Sequence, residues 1–129
     1  MEQNQAAAIG DMGIDFYQKR ALNTAVFQRV DYPLLALSEE VGEVMGKIAK
    51  YGRKNGMSAE QVILGIASAN PEMLELRQQV EKEMGDVLWQ WAVLASVLDM
   101  RPCKIAHENL KKLQDRKERN VLNGEGDNR

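Results

Sequence analysis

The stretch from Pro33 to Lys50, PLLALSEEVGEVMGKIAK, decides the fold. Leu34, Leu37, Val41, Val44, Met45 and Ile48 recur at the 3.6-residue period of an α-helix and form one apolar stripe. Pro33 suits the first position of that helix, where a missing N–H leaves nothing unsatisfied. Asp31-Tyr32 ahead of it ends the preceding element, because the residue before a proline avoids the helical region. Carboxylates border the stripe. Glu40 falls roughly 80° from its centre, at the edge; Glu43 and Lys47 lie further round, and Glu39 further still. A second stretch, Glu83-Met84-Gly85-Asp86-Val87-Leu88-Trp89, repeats the theme. Its carboxylates at i and i+3 share a helix face and flank a stripe of Val80, Met84, Val87, Trp91, Leu94 and Leu98, with Gln90 continuing the acidic flank.

Working outward, a helix is predicted over roughly 13–29, from the spacing of Ile14, Tyr17, Ala21, Thr24 and Gln28. The segment 51–57 is a polar break. Ser58-Ala59-Glu60-Gln61 matches a capping box and predicts a short helix to about Ser68. Asn70-Pro71 reads as an N-cap followed by proline at the first helical position, which starts a long helix to about Leu98. After a turn at 99–102 a last helix runs from about Pro102 to Asn120. Segments 1–11 and 121–129 read as tails. The expectation is one all-α domain over 1–129, an antiparallel four-helix bundle-like subunit with an extra short helix.

Composition agrees. Hydrophobic residues make up 44% and aromatics 5% of the chain, and the Ala, Leu, Met, Glu, Gln and Lys content favours helix over strand. Lys and Arg number 17 against 19 Asp and Glu, a balance that gives no electrostatic case for long nucleic acid. Cys103 is the single cysteine, so no internal disulfide forms and a reducing, cytoplasmic setting is the natural expectation. No secretory leader is evident. The apolar run Val87 to Leu98 is shorter than the ~20 residues that span a bilayer.

The chemistry follows from the two acidic stretches. Placed side by side, their helices bring Glu40, Glu43, Glu83 and Asp86 together. Like charges held close need a compensating cation, and hard oxygen donors suit Mg2+, or Mn2+. Such an ion orients and screens a phosphate chain and lowers the pKa of a bound water; Glu39, just off the ligand face, could position or deprotonate that water. On the last helix Asn109, Lys112 and Arg116 share a face and offer an amide and two cations to a polyphosphate. Each element also has a plainer reading as a solvated helix face, and a catalytically silent metal-binding helical partner protein would use the same carboxylates for docking. Gly42 and Gly46 each cost their helix about 1 kcal/mol and imply a small-residue helix contact, or close approach of another backbone or a ligand. Trp91 belongs to the core stripe; Trp89 points away from it, toward an interface or a base. His107 reads as a surface residue and Cys103 as structural.

With both motifs in view, the sequence resembles MazG-type nucleoside triphosphate pyrophosphohydrolases of the all-α NTP pyrophosphatase superfamily. The resemblance rests on Glu39-Glu40-Val41-Gly42-Glu43, on Glu83-Met84-Gly85-Asp86 continuing into Val87-Leu88-Trp89, on Asn109-Leu110-Lys111-Lys112-Leu113-Gln114-Asp115-Arg116, on Gly124-Glu125-Gly126-Asp127-Asn128-Arg129, and on Tyr17-Gln18, Ala21 and Thr24-Ala25. It implies a helical subunit forming a homodimer or homotetramer, and Mg2+-dependent cleavage of nucleoside triphosphates between the α and β phosphates, giving a monophosphate and pyrophosphate. It implies metal ligation by Glu40, Glu43, Glu83 and Asp86, a water-directing role for Glu39, and triphosphate contacts from Lys112 and Arg116. Members specific for dUTP, dCTP or phosphoribosyl-ATP share the pattern, and the sequence does not choose among them. Two features depart from it. The 39 residues from Val44 to Lys82 between the motifs exceed the usual spacing, and Gln79 stands where some members carry a lysine. Lys47, Lys50 or Arg53 are the candidates to replace that lysine.

Overall fold

A computed structural model describes residues 10–120. Among them the chain is all-helical: α1 (Ile14–Leu22), α2 (Tyr32–Asn55), α3 (Ala59–Ala67), a 3-10 turn (Pro71–Met73), α4 (Leu74–Val97) and α5 (Pro102–Glu118), with no strand. Residues 1–9 and 121–129, including the Gly124–Arg129 stretch of the resemblance, lie outside the described residues. The chain divides into two compact units, one ending at Thr24 and resuming at Ala95, the other spanning Ala25–Leu94.

In the Ala25–Leu94 unit the long helix α2 begins as expected, with Pro33 in its first turn. It continues to Asn55 through most of the break predicted at 51–57 and ends at Gly56, whose φ of 63° is the left-handed conformation that favours glycine. The capping box forms in full: the Ser58 hydroxyl accepts from the Gln61 N–H at 3.1 Å, and the Ser58 N–H donates to the Gln61 side chain at 2.8 Å. These bonds satisfy two of the donors that a helix start leaves open. The Asn70 side chain accepts from the Glu72 N–H at 3.0 Å, but the turn it caps is a 3-10 turn, and α4 proper starts at Leu74. The core of this unit is Val62 of α3 with Leu76 and Val80 of α4, against which Val44, Ile48, Tyr51, Met57 and Ile66 pack. Gly52 is required here, since a Cβ at that position would lie 2.7 Å from the Met57 carbonyl oxygen. Arg77 donates to the Ile66 carbonyl at 3.1 Å and ties α4 to the end of α3.

The apolar stripes are less buried than their periodicity predicts. Leu34, Val41 and Met45 on α2 are 56%, 40% and 65% exposed, and Met84 and Leu98 on α4 are 59% and 54% exposed. α2 commits only the Val44–Ile48 edge of its stripe to the core; one copy of the described chain leaves the other edge in solvent. Trp91 and Trp89 are both half-buried.

In the other unit α1 packs against α5. α1 stops at Leu22, well short of the predicted 29. The Thr24 N–H and hydroxyl both bond to the Ala21 carbonyl, at 2.9 and 2.7 Å, and the Asn23 N–H turns back to the Arg20 carbonyl. Asn and Thr side chains compete with the helix for such bonds, so spacing alone overstates its length. The Asp15 carboxylate fixes the start of α5, accepting from the Cys103 N–H at 2.7 Å and from the Arg101 guanidinium at 2.9 and 3.1 Å. The Cys103 side chain itself is exposed, as is His107.

Candidate metal and phosphate site

Within the Ala25–Leu94 unit, α2 and α4 bring three carboxylates together. Ligand oxygens of Glu40, Glu83 and Asp86 all lie within 4.8 Å of one another. Glu40 and Glu83 are half-buried and Asp86 is exposed. On α4, Glu83 and Asp86 are one turn apart and share a face, so a single opposing residue, Glu40, completes the group. Glu43 and Glu39 are exposed, and Glu43 stands outside the trio. The Lys47 ammonium sits 3.1 Å from a Glu83 carboxylate oxygen, linking the same two helices.

The electrostatics report the crowding. The Glu40 carboxyl is held above its ordinary value, first by partial burial and then by the negative charges of Asp86, Glu39, Glu83 and Glu43. Three acidic oxygens facing one another at this separation form a hard-oxygen donor set suited to a divalent cation, and Lys47 offsets the charge at its Glu83 side alone. The space beside it is open: a methyl group added at Gly42, Gly46 or Gly85 would meet nothing within 4 Å. The close approach expected at Gly42 and Gly46 is therefore not made among the described residues.

The residues expected to hold phosphate divide. Asn109 and Lys112 are exposed on α5 and line an open cleft of about 740 Å³ with Asp99, Met100, Arg101, Lys104, Ile105 and Glu108. Arg116, on the same helix, is buried at 4% exposure. In the Ala25–Leu94 unit a second cleft, of about 360 Å³, holds Lys47, Lys50 and Lys54 of α2 opposite Glu72, Glu75 and Gln79. Lys54 was missed in the sequence and Arg53 does not line the cleft. The 47, 50, 54 spacing, at i, i+3 and i+7, is the signal that puts the three lysines on one face.

A model of the MazG nucleotide pyrophosphohydrolase domain matches residues 28–121, a span that holds both acidic motifs and the Asn109–Arg116 stretch. The chain belongs to the MazG nucleotide pyrophosphohydrolase family. It is also similar to the Gene 37 protein of Mycobacterium phage L5, 34% identical over 128 residues, which covers 92% of this chain and all of that protein; that name states no activity. No solved structure matches the chain. The all-helical architecture agrees with a MazG domain, and membership supports nucleotide pyrophosphohydrolase activity in general. The acidic trio is the feature of this chain to which a metal-dependent MazG reaction would attach. No described helix is long and apolar enough to cross a membrane.

Proposed function

We propose that this MazG protein hydrolyses nucleoside triphosphates between the α and β phosphates with Mg2+, releasing a nucleoside monophosphate and pyrophosphate; Mn2+ would serve as an alternative. The observation that carries the reading is the convergence of Glu40, Glu83 and Asp86 oxygens within 4.8 Å, with Glu40 pushed toward protonation first by partial burial and then by its acidic neighbours. Glu43, one turn on from Glu40 along α2, supplies a fourth carboxylate from the exposed side. When bound, the ion would supply charge screening for the phosphates and a more acidic water.

The chain's own groups do the remaining work. Glu39, exposed beside Glu40, accepts a proton from the attacking water. The water oxygen bonds to the α-phosphorus, the α–β bridging bond breaks, and its electron pair leaves with pyrophosphate. Asn109, Lys112 and Arg116 complete the proposed set as triphosphate contacts. Of these Arg116 is the buried one, so its loss is expected to lower stability as well as affinity. The exposed stripe of Leu34, Val41 and Met45 supports a homodimer or homotetramer, since apolar area of this kind is normally covered. The lone exposed Cys103 fits a reducing cytoplasm.

Thermal melting tests binding apart from turnover. Mg2+ together with a non-hydrolysable triphosphate should raise the Tm of the wild type by linkage and leave Asp86→Asn unmoved. An unchanged wild-type curve would count against the metal assignment.

A further inference from the structure

α2 presents a single row of charge. Glu40, Glu43, Lys47, Lys50 and Lys54 recur at intervals of three and four residues, which keeps them on one helix face. The row changes sign at Lys47. Toward the N-terminus lie the carboxylates; toward the C-terminus lie three lysines, all lining the cleft of about 360 Å³. Lys47 marks the joint, because it bonds Glu83 of the trio at 3.1 Å and also lines the cleft. Lys47 thus joins the cleft to the carboxylate group.

Its far wall carries Glu72, Glu75 and Gln79. Glu75 accepts from the Gln79 amide at 3.2 Å. The ammonium groups of Lys50 and Lys54 make no ion pair or hydrogen bond within the described residues, so neither is committed to that wall. Lys47 and Lys50 are one turn apart, about 4.5 Å along the axis. An anion of several charges that leaves the carboxylate group along this row meets Lys47 first and Lys50 next. Glu72 and Glu75 repel it further out and so confine it to the inner end.

We propose that the Lys47–Lys50 end of this cleft is the subsite for the β and γ phosphates, and hence for the departing pyrophosphate, with Lys54 adding a longer-range attraction. This rests on the pyrophosphohydrolase reading above. The lysines act as fixed charges that hold and stabilise the leaving group, and no proton transfer is assigned to them.

The test is calorimetric titration of inorganic pyrophosphate with Mg2+ into the full chain. Wild type, Lys50→Ala, Lys50→Arg and, as a control outside the cleft, Lys117→Ala are compared, each checked for helicity by circular dichroism. The loss of one charge-assisted contact is expected to weaken pyrophosphate binding about tenfold in Lys50→Ala; Lys50→Arg and Lys117→Ala should stay within about threefold of wild type. Equal binding by wild type and Lys50→Ala would overturn the proposal, and so would the absence of pyrophosphate binding to the wild type. Lysine-dependent pyrophosphate binding by a chain that hydrolyses no triphosphate would keep the subsite and remove the assigned reaction, so the two failures are separable.

Discussion

Lys47 and Glu83 form a 3.1 Å ion pair between α2 and α4, at the edge of the group that also contains Glu40 and Asp86. The lysine partly neutralises a cluster of like charges, and it competes with a metal ion for the same carboxylate. Lys47→Met should therefore lower the Tm of the metal-free protein modestly. A partly exposed pair of this kind contributes under about 1 kcal/mol. The same variant should bind Mg2+ more tightly, because Glu83 is released. Melting curves across a Mg2+ series check both signs; weaker Mg2+ binding in the variant would contradict the competition.

The carboxylates themselves make the opposite trade. Glu40→Gln removes a group whose ionised form is disfavoured first by partial burial and then by Asp86, Glu39, Glu83 and Glu43, so the metal-free variant should be at least as stable as wild type. Turnover should fall by about a hundredfold or more. Steady-state assays paired with circular dichroism read the two effects separately.

Stability should depend on pH with two different signs. The Glu40 carboxyl is raised in the folded state, so its contribution is fully present below the ordinary glutamate value and is lost as pH rises through the raised one. Saturating Mg2+ should abolish that loss. The Asp15 carboxyl is lowered, first by the bond from the Cys103 N–H and then by the bond from Arg101. Its contribution is present above the ordinary aspartate value and is lost as pH falls through the lowered one. Chemical denaturation between pH 3 and 8, on wild type, Glu40→Gln and Asp15→Asn, tests this; Asp15→Asn should flatten only the acid limb.

The half-open stripe on α2 yields a prediction about assembly. Met45 is 65% exposed in one copy, so Met45→Glu should cost little in the isolated subunit and should shift sedimentation from oligomer toward monomer. A wild type that sediments as a monomer would remove the self-association reading.

What the sequence shows of this protein depends on the range of the interactions. Features written in neighbouring residues were legible: the Ser58–Gln61 box, the proline start of α2 and the all-α class. The meeting of Glu40 with Glu83 and Asp86 was anticipated from helical spacing, but the same spacing grouped Glu43 with them, and Glu43 stands outside the trio. The end of α1 was not, since Asn23 and Thr24 redirect backbone bonds that periodicity cannot see. The exposure of Leu34 and Met45 was missed because an apolar stripe records what a surface seeks to bury, and not whether one chain can cover it. The burial of Arg116 was not read from its spacing on the helix, and the setting of Lys54 beside Glu72 and Glu75 depends on residues distant in sequence. The spacing put Lys54 on the right face without giving it a wall to oppose.

The central claim is that Glu40, Glu83 and Asp86 serve a metal-dependent cleavage between the α and β phosphates. The most direct measurement is the product pair released from a panel of ribo- and deoxyribonucleoside triphosphates, with Mg2+ and with EDTA, for wild type and Glu40→Gln. The account predicts nucleoside monophosphate and pyrophosphate in equal amounts, abolished by EDTA and by the substitution. Release of a nucleoside diphosphate with inorganic phosphate, or near-full activity in Glu40→Gln, would contradict it.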